Sequence, residues 1–370
     1  MSVPDRRAAL RLVCLPDMTP ARLWALLWTF GAHDAALGAV TEGRAREAHG
    51  ARGTRTAISP WLARRWSTAC TSGELDQLLD GRSPHVWLSG DDGFPIDVPP
   101  SVSPTPPAVL LGEGSRPDVL RRKRVAVVGT RSASVHGCAD ARAIGETLAE
   151  AGVTVVSGLA LGVDGAAHEG AIAAGGAAVG VVATGLDVAY PRRHRYLHRR
   201  VREAGVLVSE VGYGVGPTRE RFPVRNRIIA GLADVVVVVE ATARGGARIT
   251  ADHALSYGRS VLAVPGSRRN PAAEGCNELL ADGAQPLLRP GDILEALGLC
   301  EGATRLRWAT APPPRSVAAK QLLGALGGEP ATNDDLRSRL DWSPNALAVA
   351  LAEVEVAGHV RRAHGRWWPV

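Results

Sequence analysis

Between residues 124 and 264 the chain repeats one pattern: a short unbroken run of mostly β-branched residues, then an Ala-rich stretch of about ten to fifteen residues with helical character. The runs lie at 125–128, 153–156, 179–182, 206–208, 235–239 and 261–264. A strand with one face in water alternates polar and apolar residues, whereas a run without alternation must bury both faces. Helices between such strands supply the cover and the crossover connections. The pattern therefore predicts a doubly wound, Rossmann-like α/β domain with a parallel sheet.

The flanks read differently. Residues 1–85 are expected to be a helical domain. Thr19 followed by Pro20 is an N-cap with proline in the first turn, Leu23, Leu26, Leu27 and Phe30 share a face, and Gly31 stops the helix; a second helix is expected at 60–69. Residues 86–118 are expected to be a Pro-rich linker or extension, since the prolines of 98–107 suit neither a helix nor a central strand. The Rossmann-like domain is assigned to 119–300 and a second linker, with Pro312-Pro313-Pro314, to 301–314. Residues 315–370 read as helices at 317–326, after Thr332 and after Ser343-Pro344, then a strand-turn-strand ending in Trp367-Trp368. Three helices and a hairpin predict a winged helix.

A chain of 370 residues with 45% hydrophobic and 22% charged residues has apolar material for more than one core. No apolar run is long enough for a membrane span, and the first residues carry acid and proline instead of a signal-peptide core, so the expected location is the cytoplasm. Five cysteines without CxxC spacing predict neither a disulfide framework nor a zinc site. The net charge of +6 is concentrated. Residues 192–227 hold ten arginines (192, 193, 195, 199, 200, 202, 219, 221, 225, 227) against Glu203, Glu210 and Glu220, an excess of seven. Such a stretch suits a polyanion, and the alternative is a solvated arginine face.

In doubly wound sheets ligands sit beyond the carboxyl ends of the strands. Those positions read Gly129-Thr130-Arg131-Ser132, Ser157-Gly158-Leu159-Ala160, Thr184-Gly185-Leu186-Asp187, Ser209-Glu210 and Glu240-Ala241. Gly, Ser and Thr there allow close backbone approach and free amides, which predicts an anion-binding rim, although tight turns use the same residues. The first loop lacks GxGxxG, which argues against a dinucleotide. Lys occurs only at Lys123 and Lys320, neither preceded by glycine, which excludes a Walker A loop. What remains is a phosphate reader built from arginine, with Phe222 among Arg219, Arg221, Arg225 and Arg227. Rings among basic residues stack the bases of single strands; a buried anchor is the other reading of Phe222. Asp164 and His168 are expected to be a cap and a satisfied hydrogen bond, not metal ligands. Glu240 is a catalytic acid or, preferably, the partner of an arginine. Familiar hydrolase signatures are missing.

These segments, in order, carry a resemblance. Val125-Ala-Val-Val-Gly-Thr-Arg131, Val156-Ser-Gly-Leu-Ala-Leu-Gly-Val-Asp164 with His168, Gly185-Leu-Asp-Val-Ala-Tyr-Pro191, Phe222-Pro-Val-Arg-Asn-Arg-Ile-Ile229, Glu240-Ala, Ile249-Thr-Ala251 and Val264-Pro-Gly266 resemble the DprA/Smf family of DNA-processing proteins. The match spans about residues 85 to 290. It implies a Rossmann-like domain that binds and protects single-stranded DNA and loads the RecA recombinase in natural transformation. It also implies a homodimer with no cofactor and no catalysis, an N-terminal SAM-like helical domain and a C-terminal winged helix.

The expected site comprises Gly129, Arg131, Ser157, Gly158, Arg219, Phe222, Arg225, Asn226 and Arg227. Arginines would take phosphates, loop amides would take phosphate oxygens, and Phe222 would stack a base. The rival from the enzyme class is a phosphoribohydrolase-like nucleotide hydrolase using Glu240. Two departures from the family pattern bear on this. Gly245-Gly246 stands where the family carries Ser-Gly, and the turn 16–20 lacks the glycines of a DNA-binding helical hairpin, so the first domain is not expected to touch DNA. Residues 344–357 hold no Lys or Arg but two acids, Glu353 and Glu355. The tail is therefore expected to contact protein, with Arg361, Arg362 and Arg366 as its basic edge.

Overall fold

The computed structural model describes residues 3–50, 58–96, 98, 106–299, 314, 316–327, 329–363 and 365–369. The chain divides into two compact units, Met1–Ala303 and Thr304–Val370. The linker expected at 301–314 lies outside the described residues except for Pro314.

In the first unit every apolar run becomes a strand. The described strands are β1 (His85–Leu88), β2 (Val109–Glu113), β3 (Arg124–Val128), β4 (Thr154–Ser157), β5 (Ala178–Val181), β6 (Val206–Ser209), β7 (Val235–Val238), β8 (Ser260–Ala263) and β9 (Gln285–Pro286). They form one sheet in the order β1-β2-β6-β5-β4-β3-β7-β8-β9. From β6 to β9 all pairings are parallel. β2 joins β6 antiparallel, and β1 joins β2 antiparallel. The segment 86–118, expected to be a linker, thus supplies nearly all of two strands that lengthen the sheet at one edge. Among the described residues, Pro95, Pro106 and Pro107 fall between those strands and Pro117 follows β2, so none interrupts a ladder hydrogen bond.

Successive side chains point to opposite faces, so each strand feeds two cores. In β3, Val125 and Val127 join the core beneath α6 (Val135–Glu150) and α7 (Val163–Ala173), while Ala126 and Val128 join the core beneath α9 (Arg221–Leu232) and α10 (Gly246–Ser256). β7 divides in the same way, with Val235 and Val237 on one side and Val236 and Val238 on the other. α8 (Arg195–Ala204), α11 (Glu274–Ala281) and α12 (Gly291–Ala296) complete the cover. Chain order runs β3, β4, β5, β6 outward in one direction and returns to β7 on the other side of β3. That reversal opens a crevice beyond the carboxyl ends of β3 and β7.

The N-terminal helices are α1 (Val3–Val13), α2 (Pro20–Phe30), α3 (His33–Thr41), α4 (Pro60–Thr71) and α5 (Glu74–Leu79). Thr19 Oγ1 accepts from the Arg22 amide and Ser59 Oγ from the Leu62 amide, with proline opening both helices. Fully buried Trp66 donates from Nε1 to the Pro16 carbonyl at 2.7 Å. Their core is continuous with the sheet, since Leu12, Leu26 and Trp66 share a cluster with Leu88, Leu111 and Leu207.

The second unit has three helices, α13 (Val317–Leu326), α14 (Asn333–Leu340) and α15 (Pro344–Val356), and a hairpin of β10 (Val360–Ala363) and β11 (Arg366–Pro369). Thr332 and Asp335 form a reciprocal capping box on α14, as their spacing predicts. Leu322, Leu336, Leu351, Val354 and Trp367 make its core. This is the winged-helix arrangement expected from the sequence.

Among the described residues no helix is long and apolar enough to cross a membrane, and no group of three or more His, Cys, Asp or Glu is placed to hold a metal ion. Cys14, Cys70, Cys138 and Cys276 are free thiols.

Candidate nucleic-acid interface

The crevice between β3 and β7 holds an open pocket of about 700 Å³. Its floor comes from Val128 at the end of β3, from Gly129 and Thr130 after it and from Ala241 and Thr242 after β7; Arg131, Asp164, Tyr190, Arg219, Phe222, Arg225 and Asn226 wall it, and the start of α10 at Gly245-Gly246 closes one side. Three arginines face one acid, so the lining is cationic.

Two of the rim amides that sequence reasoning assigned to phosphate, and two amides beside the rim, already have carboxylate partners. Asp164 Oδ2 accepts from the amides of Gly158 at 3.1 Å and Ala160 at 3.4 Å. Glu240 accepts from the Ser134 amide at 2.8 Å and the Ser134 hydroxyl at 2.6 Å, so its charge sits at the N-terminus of α6, the position that binds pyrophosphate in dinucleotide folds. The expected pairing of Glu240 with an arginine is thereby corrected to a helix cap. Asp187 accepts from the Gly214 amide at 3.0 Å. α10 differs, because it starts at Gly246 with no side-chain cap and borders the pocket.

The expected arginines separate into two groups. Arg131 and Arg219 are exposed at the mouth. Arg225 is 6% exposed and donates from one nitrogen to the Gly158 carbonyl at 2.8 Å and to the Val181 carbonyl. Burial pushes its guanidinium down to about 10, against the attraction of Asp164, and the same burial raises Asp164 despite Arg225. Desolvation outweighs attraction on both sides, and both groups still grip the Gly158 peptide. Gly158 itself has no room for a Cβ, which would strike the Arg225 guanidinium. Arg227 is 9% exposed and pairs through one nitrogen with both oxygens of buried Glu210 at 2.8 and 2.7 Å. Burial raises the Glu210 carboxyl even so. Arg225 and Arg227 are therefore corrected from phosphate contacts to internal braces. The excess charge counted over 192–227 overstates what a ligand meets.

The other expected residues also find their places. Ser157 is fully buried and donates to the Val127 carbonyl at 2.7 Å, tying β4 to β3. Asn226 donates to the Gly246 carbonyl at 3.0 Å and so fixes the start of α10. Gly129 packs against Val163 and the Glu240 backbone without space for a side chain. His168 is buried with Nε2 3.1 Å from the Val179 carbonyl, and burial lowers its imidazole to about 4; as expected, it is a satisfied internal histidine.

Phe222 stands half-buried at the pocket wall with the Arg131 guanidinium 4.8 Å above its ring and the Tyr190 ring 5.5 Å away, tilted by 43°. Arg131, Phe222 and Tyr190 thus form one arginine-aromatic cluster built from two loops and the first turn of α9. Tyr190 was missed by sequence reasoning. Its signal was slight, an aromatic before Pro191 at the end of the loop that follows β5, and its meeting with Phe222 depends on that loop reaching the first turn of α9.

A family model described as DNA recombination-mediator protein A matches residues 85–298, and a second, described as the DprA winged helix domain, matches residues 308–366. The chain belongs to the DprA/Smf family. Protein Smf of Escherichia coli is 37% identical over 294 residues, which cover 76% of each chain. The structure of DNA processing protein A from Streptococcus pneumoniae aligns with a TM-score of 0.64 at 30% identity, covering 80% of this chain and 98% of that one. A Helicobacter pylori DNA processing protein A, whose structure was described for its single-stranded DNA binding mode, aligns with a TM-score of 0.51 at 26% identity, covering 58% and 95%. The two family matches reach both units and include the segments that carry Arg131, Tyr190, Arg219 and Phe222.

Proposed function

We propose that this DprA/Smf protein binds single-stranded DNA in the crevice beyond β3 and β7, acts there without catalysis, and hands the strand to a RecA-type recombinase in the cytoplasm as a homodimer. The observation that carries the reading is the Arg131–Phe222–Tyr190 cluster on the wall of a pocket lined by three arginines and one acid. Rings accept any base through its π-face, exposed guanidinium groups follow the backbone, and neither demands a particular sequence. The single-stranded DNA binding of the Helicobacter pylori relative supports the ligand, and the family's description as recombination mediators supports delivery to a recombinase. The hydrolase alternative has less support, because Glu240 caps α6 through Ser134 and Asp164 is taken up by two amides, so neither carboxylate is free to act as acid or base.

The test is a fluorescence-anisotropy titration of labelled single-stranded and duplex oligonucleotides. Phe222→Ala should weaken single-strand binding about tenfold, consistent with the roughly 1 to 3 kcal/mol contributed by stacking on one ring. Equal affinity for duplex and single strand, or unchanged binding by Phe222→Ala, would sink the proposal. Release of free base from nucleoside monophosphates would favour the hydrolase instead.

A further inference from the structure

We propose that the outward face of α8 is a second nucleobase platform, with Tyr196 as the stacking ring and Arg199 and Arg200 as its cationic flank, extending the strand's path beyond the pocket. The inference rests on the single-strand reading above and names the next stretch of its track.

α8 turns Leu197, His198 and Val201 into the core. The opposite face carries Tyr196, which is 62% exposed, with the Arg199 guanidinium 5.1 Å and the Arg200 guanidinium 5.8 Å from its ring centroid. Arg192, Arg193 and Arg195 are exposed on the turn and helix start immediately before it. Near these charges the acid is Glu203, 3.8 Å from Arg199 with both side chains 66% exposed, a pairing that solvent screens. Two like charges held over one solvent-facing ring repel each other, and a phosphate backbone relieves that repulsion while presenting a base to the ring.

The face is also tied to the pocket. His198, on the inner side of α8, has Nε2 3.1 Å from the Tyr190 carbonyl, and the ring of that same Tyr190 packs on Phe222. The short turn Arg192–His194 joins Tyr190 to the helix, and His194 Nδ1 lies 3.0 Å from the Leu159 carbonyl, which fixes the turn beside the loop after β4. A strand leaving the Phe222–Tyr190 pair along this turn meets cations continuously until it reaches Tyr196. Charge and aromatic exposure together favour single-stranded nucleic acid over an acidic protein, which would need the cations but not the ring.

The experiment compares two labelled oligothymidylates, one of about six nucleotides, near the short end of the site sizes common for single-strand grooves, and one of about twenty, beyond their long end. Tyr196→Ala should weaken the longer probe about tenfold and leave the shorter within about twofold, while Tyr196→Phe keeps both. Alanine is favourable on an exposed helix face, so the variant should melt like the parent. Unchanged affinity for the longer probe would overturn the second platform while the pocket reading stood. Parallel losses on both probes would overturn it too, by showing that Tyr196 acts through the pocket. If the unsubstituted protein bound neither probe, the single-strand reading itself would fall and this inference with it.

Discussion

Replacing Arg225 with alanine tests whether this arginine braces the fold or serves the ligand. The side chain is 6% exposed, donates to the carbonyls of Gly158 and Val181, and is the largest favourable charge acting on buried Asp164. Its removal leaves two carbonyls short of a donor and Asp164 without its cation. Two buried acceptors left unsatisfied at about 1 to 3 kcal/mol each, together with a buried carboxylate that loses a nearby cation, cost about 3 to 5 kcal/mol. At about 2 °C per kcal/mol for a large cooperative unit, the melting temperature should drop by roughly 6 to 10 °C. The loss should also depend on pH. Burial raises Asp164 above its unfolded value, so its protonated form favours folding at low pH, and stability declines as pH rises through the raised value. Without Arg225 that value climbs further, so the deficit should be smallest in acid and widen toward neutrality. Urea melts followed by tryptophan fluorescence at several pH values measure this, and adding Asp164→Asn should recover part of the deficit. A variant that melted like the parent at every pH but lost oligonucleotide affinity would refute the reasoning, because the guanidinium would then act on the ligand directly.

Three further outcomes are expected. Arg131→Ala and Arg219→Ala should each lower the slope of log affinity against log salt by about 0.7, the value for one single-strand phosphate contact, whereas Arg361→Ala in the wing should leave it unchanged; salt titrations of the three variants decide this. Glu240→Gln should destabilise by about 1 to 2 kcal/mol in denaturant melts, since α6 loses an anion at its N-terminus, while oligonucleotide affinity stays within twofold. Thr332→Ala should cost about 1 kcal/mol in melts of the full chain, through loss of the capping box.

The amino-acid sequence by itself determined the local features. Unalternating runs such as 235–239 have no polar face to offer water and so lie within the sheet; Thr19, Ser59, Ser134, Thr332 and Ser343 cap helices because a short side-chain oxygen reaches an amide two or three residues on. A site beyond the carboxyl ends of the strands also followed, but its place between β3 and β7 is set by the strand order of the folded sheet. Segment 86–118 was harder to read, because β1 and β2 are short and become strands only by adding to the edge of an existing sheet.

Only the tertiary structure decided which charges face solvent. Arg219, Phe222, Arg225 and Arg227 are near neighbours in sequence, yet Arg219 is exposed, Phe222 joins Tyr190 and Arg131 at the wall, and Arg225 and Arg227 are buried against Gly158, Val181 and Glu210. A count of residues assigns every arginine the same freedom. α9 lies between the sheet and other elements, so it is buried from Arg225 to Leu232. Asp164 caps its own loop from four and six residues away, but the amides of Gly214 and Ser134 went to Asp187 and Glu240 for the same reason: those carboxylates come from distant turns of the chain, and such pairings exist only once the strands are in register.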